Sequence, residues 1–211
     1  MLKKIFSFLC AATMILFVAH SQAYAAKVAI ILDAPTGTFT EPEKVYNMVE
    51  TSLGKILTNS SEYEILPAMD TENYVQIYRE EHDMIMSTGA DEGRHEEKWL
   101  KKEDIGNICN HFGGNYVIYI RVTSSEPKRA TGIFTSGQKV NVVTDFRVWS
   151  NNKQDFSYMK RATTQGSSQT VNVSIFGRGD GSSTHALEKA LNKGLQEIEK
   201  DAAKIREAMQ G

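Results

Sequence analysis

The chain has 211 residues, with 24 lysine or arginine residues against 26 aspartate or glutamate residues and a formal charge of −2. This balance excludes the basic excess that is typical of nucleic-acid-binding proteins. No long apolar stretch follows the first 25 residues, so we predict no membrane span in the remainder of the chain.

The first 25 residues have the three parts of a secretory signal peptide. Two lysines are followed by the apolar run 5–19 and by Ala23-Tyr24-Ala25, which fits a signal peptidase site. We predict cleavage after Ala25, with an uncleaved N-terminal anchor as the alternative. Cys10 lies too early in the apolar run for a lipoprotein cysteine, so we predict a periplasmic or extracellular protein without a lipid anchor.

Cleavage would leave one domain, residues 26–211, which is long enough to bury a sizeable core. Loss of the two signal lysines leaves 22 basic residues against 26 acidic ones, a formal charge of −4. Cys109 is then the single cysteine, which excludes an internal disulfide. Because Cys109 lies on an apolar stripe, we interpret it as a buried, unreactive thiol.

The N-terminal half predicts strands and helices in alternation. Lys27 to Asp33 is a short apolar run that is typical of a buried strand. Thr40-Glu41-Pro42-Glu43 predicts a helix start, with Thr40 as the cap and Glu43 completing a capping box. Glu62 to Leu66 predicts a second strand, and residues 70–82 predict a second helix capped by Asp70. Residues 87–98 are charged and contain glycine, so we predict an exposed loop.

Residues 105–122 predict a helix that leads directly into a buried strand. Ile105, Ile108, Cys109 and Phe112 recur at helical spacing, and Gly113 fits the left-handed position that ends helices. Residues 116–120 have no polar face. We therefore predict a central strand that is covered on both sides.

The C-terminal half predicts a hairpin and a helix. Residues 138–149 alternate between apolar and polar, Asn151-Asn152-Lys153 predicts a turn, and residues 155–164 are expected to return antiparallel. The apolar stripe over residues 187–209 predicts one long helix, whose last turns overhang the sheet. The fold class predicted is an α/β, single-domain layered sandwich: a mixed sheet with a βαβα start, then an antiparallel meander, and a long C-terminal helix.

The order of these elements resembles a superfamily of bacterial envelope proteins, with Phe112-Gly113-Gly114-Asn115-Tyr116-Val117-Ile118 at the helix-to-strand junction. This superfamily includes the N-terminal domain of TolB, the curli secretion lipoprotein CsgG and the lipoprotein activators of penicillin-binding proteins. The resemblance covers residues 27–209 and implies a sandwich that makes protein contacts and has no active site. Asn115 replaces the usual Asp, Arg121 falls near the usual Gly, and the lipoprotein cysteine is missing. The loops are also too short for a curli-type pore.

The segment 170–176 is the main candidate for function. Its apolar residues alternate with small polar ones, and no charge prevents it from pairing with another chain. We predict that it binds an envelope protein by strand addition, with an ordinary strand of the same sheet or a loop as the alternative. The residues assigned to this partner-binding surface are Val171, Val173, Ile175, Phe176, Arg178 and Asp180.

Other patterns give alternative hypotheses. The glycine-rich turn 177–184 could bind an anion at a helix N-terminus, which would make the protein a periplasmic small-molecule or anion-binding protein. A hydrolase around His82 and His95 is a third hypothesis. Asp91, Glu92, His95 and Glu96 could ligate a metal, but we interpret them as a solvated charged loop.

No catalytic motif is found, including the nucleophile-elbow pattern G-x-S-x-G. We therefore predict a non-enzymatic adaptor or accessory module of the cell envelope, with no catalytic residue, metal or cofactor. A homodimer through the overhanging end of the last helix, residues 202–209, is an alternative to packing of that helix on the sheet.

Overall fold

The computed structural model describes residues 25–35, 38–58, 61–87, 95–131, 135–171 and 183–210, and every structural statement below refers to these residues. Within them, a six-stranded mixed sheet has helices packed on both faces. The predicted α/β sandwich with a βαβα start and an antiparallel meander is confirmed. The predicted cleavage after Ala25 stays a prediction, although β1 begins at the next residue.

Thirteen elements follow one another along the described residues. The first eight are β1 Ala26–Asp33, α1 Pro42–Ile56, β2 Tyr63–Ile65, α2 Ala68–Glu81, β3 Ile85–Ser87, β4 His95–Glu97, α3 Lys102–His111 and β5 Tyr116–Ser124. The remaining five are β6 Lys128–Thr131, β7 Thr135–Ser150, β8 Asp155–Val171, α4 Ser183–Glu199 and α5 Ala202–Gln210.

The main sheet changes from parallel to antiparallel at β5. Strand β1 pairs parallel with β2 and with β5, and β7 pairs antiparallel with β5, β6 and β8. Strand β8 lies along the whole of β7, from Thr135 to Ser150. Because β8 takes that entire edge of β7, β5 and β6 share the other edge. Strands β3 and β4 form a separate two-stranded sheet.

Strand β5 is the central strand, as its sequence predicts. Its side chains from Val117 to Ile120, and that of Val122, are at most 2% exposed. Alternate residues enter two separate cores: α1, α4 and α5 pack on one face of the sheet, and α2 and α3 pack on the other. An unbroken apolar run is required because both faces of the strand are covered.

The bounds of the second predicted helix, residues 70–82, are right to within two residues, but two predicted caps are wrong. Helix α1 has Glu41, rather than Thr40, as its N-cap, and Pro42 is its first residue. Helix α2 begins at Ala68 directly after Pro67, ahead of the predicted cap Asp70. The left-handed helix end predicted at Gly113 is confirmed, with φ of +58°.

The prediction of a single long C-terminal helix is wrong, because the helix is interrupted at Lys200 and Asp201, between α4 and α5. The Asp201 carboxylate accepts hydrogen bonds at 2.9 Å from the Tyr158 hydroxyl and from Lys160 Nζ. Helix α5 then packs on the sheet, with Met209 2% exposed, instead of overhanging it. The surface that suggested a homodimer is therefore buried within the chain.

The prediction of an exposed loop over residues 87–98 is wrong at both ends of this range. Ser87 closes β3, and residues 95–97 form β4, which pairs with β3 in antiparallel fashion. Residues 88–94 lie outside the described part of the chain.

Candidate functional site

Strand β8 forms an edge of the main sheet. It is 17 residues long, and within the described ranges its pairing partner is β7 alone. From Ala162 to Val171 it contains no charged residue, whereas edge strands are commonly protected from other chains by charges. A long, uncharged edge of this kind can accept a further strand.

The outward backbone groups of β8 can be assigned from its pairing with β7. Opposite residues of antiparallel strands alternate between hydrogen-bonded and non-hydrogen-bonded pairs. Asn141 directs its N–H and C=O to Ser125 on the far side, at 3.2 and 2.9 Å, so its pair with Gln165 is non-hydrogen-bonded. The N–H and C=O of Gln165 therefore point to the free edge, and by alternation so do those of Thr163 and Ser167.

Helix α4 packs on β8 from the face of the sheet that also carries α1 and α5, and it fixes the position of the strand. Thr164 Oγ1 donates to the carbonyl of Ala190 at 2.6 Å, and Lys193 Nζ donates to the outward carbonyl of Gln165 at 3.0 Å. A Cβ atom on Gly166 would lie 1.7 Å from the carbonyl oxygen of Ala186, so a side chain there is incompatible with the helix position. The edge is therefore presented by a firmly packed strand.

Four charged residues lie side by side across four strands on the opposite face of the sheet. The strand register places Asp33 of β1 beside Arg121 of β5, Arg121 beside Asp145 of β7, and Asp145 beside Arg161 of β8. We call these four residues the charged row. Their signs alternate, which is the favourable arrangement for directly opposed charges in a sheet.

The outer end of the charged row is a two-pronged ion pair. Arg161 Nε donates to Asp145 Oδ1 at 2.7 Å, and Arg161 Nη2 donates to Oδ2 at 3.0 Å. The hydrogen bonds from Arg161 hold the pKa of Asp145 below its ordinary value. The Arg161 side chain is still 67% exposed, so its guanidinium can bind a further group.

Arginines outnumber carboxylates around the charged row. The Arg121 guanidinium lies 3.6 Å from the centre of the Trp99 ring, and that of Arg147 lies 5.4 Å from the centre of the Phe156 ring. Among the described residues, neither arginine has a carboxylate oxygen within 4.0 Å, and Arg121 Nε is buried without a hydrogen-bond partner. This part of the sheet face is therefore locally positive on a chain that carries a net negative charge.

The inner end of the charged row is a buried polar cluster. Asp33 and Arg79 are each 2% exposed and form an ion pair of 2.5 Å between Oδ1 and Nη2. The Tyr119 hydroxyl and, at 3.5 Å, the backbone N–H of Leu100 donate to Asp33 Oδ2. Burial and the nearby Asp33 charge raise the pKa of Tyr119. Ligands often bind at the carboxyl ends of parallel strands, but here protein groups occupy both oxygens of Asp33.

The described residues contain no group of three histidine, cysteine or acidic side chains that could hold a metal ion. Of the metal-ligand candidates, Asp91 and Glu92 lie outside the described residues, and the side chains of His95 and Glu96 do too. The glycine-rich turn is also outside up to residue 182, and α4 begins at Ser183. The anion-binding and metal-binding hypotheses therefore remain untested.

Cys109 is buried, and two of the histidines stack on tyrosine rings. Burial raises the pKa of the Cys109 thiol to about 11, in agreement with its interpretation as a buried, unreactive residue. His82 stacks on Tyr78 with ring centres 4.0 Å apart, and His111 stacks on Tyr74 at 3.5 Å. The hydrolase hypothesis remains untested, because the side chain of its second histidine is not described.

One of the six residues assigned to partner binding lies in the described part of the chain: Val171 is the last residue of β8, opposite Thr135. The other five lie outside it, and their role stays a prediction; they are Val173, Ile175, Phe176, Arg178 and Asp180. The edge character that was predicted from residue 170 onward is found earlier in the chain, along β8.

The charged row was missed by sequence reasoning. The alternation in β7 does show that Asp145 and Arg147 share a face, and Arg121 interrupts the apolar run of β5. Their alignment with Asp33 and Arg161 depends on strand register. That register includes a β-bulge between Val148 and Trp149, for which no turn or glycine gives a signal.

Comparison with solved structures gives matches of low similarity. No family model matches the chain, and no curated protein matches it significantly. Lipoprotein GNA1162 from Neisseria meningitidis is 15% identical, with a TM-score of 0.37 over 83% of this chain and 99% of its own. Protein CT253 from Chlamydia trachomatis is 10% identical, with a TM-score of 0.41 over 88% and 98%. The LpoB C-terminal domain from Escherichia coli is 10% identical, with a TM-score of 0.31 over 68% and 84%.

These comparisons correct one expectation about location. Several of the matched structures are named as lipoproteins, among them those from Neisseria meningitidis, Acinetobacter baumannii and Caulobacter crescentus. The expectation of a protein without a lipid anchor is contradicted by these names and is withdrawn. It depended on the early position of Cys10, which lies outside the described residues. Within the described ranges, no helix has the length and apolar character that crossing a bilayer requires.

Proposed function

We propose that this chain is an exported, non-enzymatic accessory protein of the bacterial cell envelope, which binds an extended segment of another protein along the free edge of β8. The observation that carries the proposal is the outward row of N–H groups at Thr163, Gln165 and Ser167 and of C=O groups at Thr163 and Ser167, on a stretch of β8 without charged residues. The outward carbonyl of Gln165 accepts a hydrogen bond from Lys193 Nζ, which an N–H of the partner strand would replace. The proposal includes membership of the envelope superfamily of TolB, CsgG and the activators of penicillin-binding proteins.

Strand addition fits this edge for two physical reasons. Main-chain hydrogen bonds to a sheet edge supply affinity, and the alternate side chains of the added strand supply specificity. Helix α4 fixes β8 through Thr164 and Gly166, so little conformational entropy is lost when a partner strand adds to it. The exposed side chains of Thr163, Gln165 and Ser167 would lie beside those of the partner.

A site-specific crosslinking experiment tests this function. A photoreactive amino acid would replace Ser167 on β8 or, as the control, the exposed Glu64 on β2 at the opposite edge of the sheet. We expect a crosslinked partner in intact cells from position 167 and none from position 64. Equal crosslinking at the two edges, or none at position 167, would overturn the proposal.

A proline variant tests whether the edge itself is used. Thr163→Pro removes an outward N–H without removing a hydrogen bond to β7, which is the position that an edge strand tolerates. Thr163→Val keeps the N–H and is the matched control. Crosslinking from position 167 is expected to persist in the valine variant and to disappear in the proline variant, with unchanged melting temperatures. Persistence in both variants would show that the partner binds elsewhere.

A further inference from the structure

We propose that the segment which adds to β8 is acidic and places a carboxylate directly opposite Arg161. This inference rests on the proposed function, because it specifies the chemistry of the partner that the edge accepts. It follows from the charged row, from the unused donors of Arg161 and from the absence of carboxylates in the adjoining part of β8.

The charged row ends on a positive charge at the free edge. Asp33, Arg121, Asp145 and Arg161 alternate in sign across four hydrogen-bonded strands. A strand added beside β8 contributes the next residue in this row, about 4.8 Å further out. Opposite charges that face each other across strands are favourable, and like charges are unfavourable. An aspartate or glutamate therefore continues the alternation, and a lysine or arginine there is selected against.

Arg161 has donors available for this contact. Its guanidinium has five N–H donors, of which Asp145 engages one on Nε and one on Nη2. The Nη1 group is left for an incoming carboxylate, and the side chain is 67% exposed. Arg147, on the same face and two residues from Asp145, adds a second positive charge to this surface.

The neighbouring positions of β8 specify the rest of the segment. Met159 is 65% exposed on the same face, two residues before Arg161, and Thr163 is exposed two residues after it. The added strand is thus expected to carry an apolar residue opposite Met159 and a β-branched or small polar residue opposite Thr163. The predicted pattern is an acidic residue flanked, at intervals of two, by one apolar and one small residue.

A second copy of this chain is a poorer occupant. Between Lys160 and Val171, β8 has no carboxylate, so a copy that pairs along this stretch places no negative charge opposite Arg161. Pairing centred on residue 161 would instead bring two arginines together. The occupant favoured by the charges is an acidic segment of a different protein.

Selection from a peptide library tests the inference directly. Displayed peptides of alternating pattern, with all residues allowed at the central position, would be selected for binding to the purified protein. We expect aspartate or glutamate to be enriched at the centre. For a selected peptide, Arg161→Gln and replacement of the peptide carboxylate by its amide should each weaken binding about fivefold, a change typical of one exposed ion pair. The double change should weaken it little further.

Two control variants separate this inference from the proposed function. Lys189→Gln removes an exposed charge from α4, on the other face of the sheet, and should leave binding unchanged. Thr163→Pro should abolish binding of every peptide that uses the edge. Peptides without a central acid that are still lost with Thr163→Pro would overturn the acidic partner and leave strand addition intact. Peptides insensitive to Thr163→Pro, no binding peptide at all, or a protein that dimerises through β8 would overturn both.

Discussion

Replacing Arg79, the buried arginine at the inner end of the charged row, is expected to lower the free energy of unfolding strongly. Arg79→Met keeps most of the apolar stem of the side chain but removes the guanidinium, so the Asp33 carboxylate, which is 2% exposed, loses its cation. Breaking a buried ion pair by removing one partner costs about 3–5 kcal/mol, because a charge remains in a medium that solvates it poorly. Tyr119 and Leu100 still donate to Asp33, which places the expected loss toward the lower end of that range.

Urea unfolding at neutral pH measures this loss. With a slope of about 2 kcal/mol/M, a loss of about 3 kcal/mol lowers the unfolding midpoint by about 1.5 M. Lys55→Met is the matched control, because Lys55 is 60% exposed in its ion pair with Glu199 and should contribute less than about 1 kcal/mol. Asp33→Asn combined with Arg79→Met should recover part of the loss. A change of less than about 1 kcal/mol in Arg79→Met would refute the reasoning.

Three further predictions use single substitutions or labels. Gly166→Ala should destabilise the protein by about 3 kcal/mol, because its Cβ would meet helix backbone, whereas Gly54→Ala, in open space within α1, should stabilise it by about 0.5–1 kcal/mol. Thermal unfolding of both variants checks this, and equal melting temperatures would contradict it. Asp145 has a lowered folded pKa, so its contribution to stability is present above its ordinary pKa of 3.8 and is lost as the pH falls through the lowered value. The stability difference between wild type and Arg161→Gln should therefore narrow below about pH 4, and a constant difference down to pH 2 would argue against the ion pair. The Cys109 thiol, with its pKa raised to about 11, should resist thiol reagents at pH 8 until the protein is unfolded in urea, and fast labelling of the folded protein would show that it is accessible.

The parts of the fold that sequence reasoning predicts are those with strong local patterns. The apolar run of β5 has one physical explanation, burial on both faces, and the structure confirms it. The C-terminal stripe misleads because Ile198, Ala202, Ile205 and Met209 keep helical spacing across the break. The break is set by contacts of Asp201 with β8, which lies some 40 residues away in sequence and leaves no local signal.

The sequence predicts that an uncharged edge strand exists, but it does not predict which residues form the candidate site. The absence of charge marks residues 162–176 as a whole as a possible edge, and sequence reasoning selected only its last part. The charged row requires the register of four strands, and a shift of one residue in any of them would move its charge to the other face. Local patterns specify which residues share a face of one strand, but they do not specify which residues meet across strands.

The length of β7 and β8 makes the two ends of the molecule different. The chain enters β1 at Ala26, and the carbonyl of Met209 in α5 contacts the Tyr116 hydroxyl at the start of β5, so both ends of the described chain lie at one pole. Strand β5 stops opposite Val142, while β7 continues to Thr135 and β8 to Val171, with β6 paired along the other edge of β7. The 16 residues of β7 span roughly 50 Å in total, of which the part beyond β5 is less than half. A protein fastened by either terminus would therefore hold the far ends of β6, β7 and β8 away from the point of attachment.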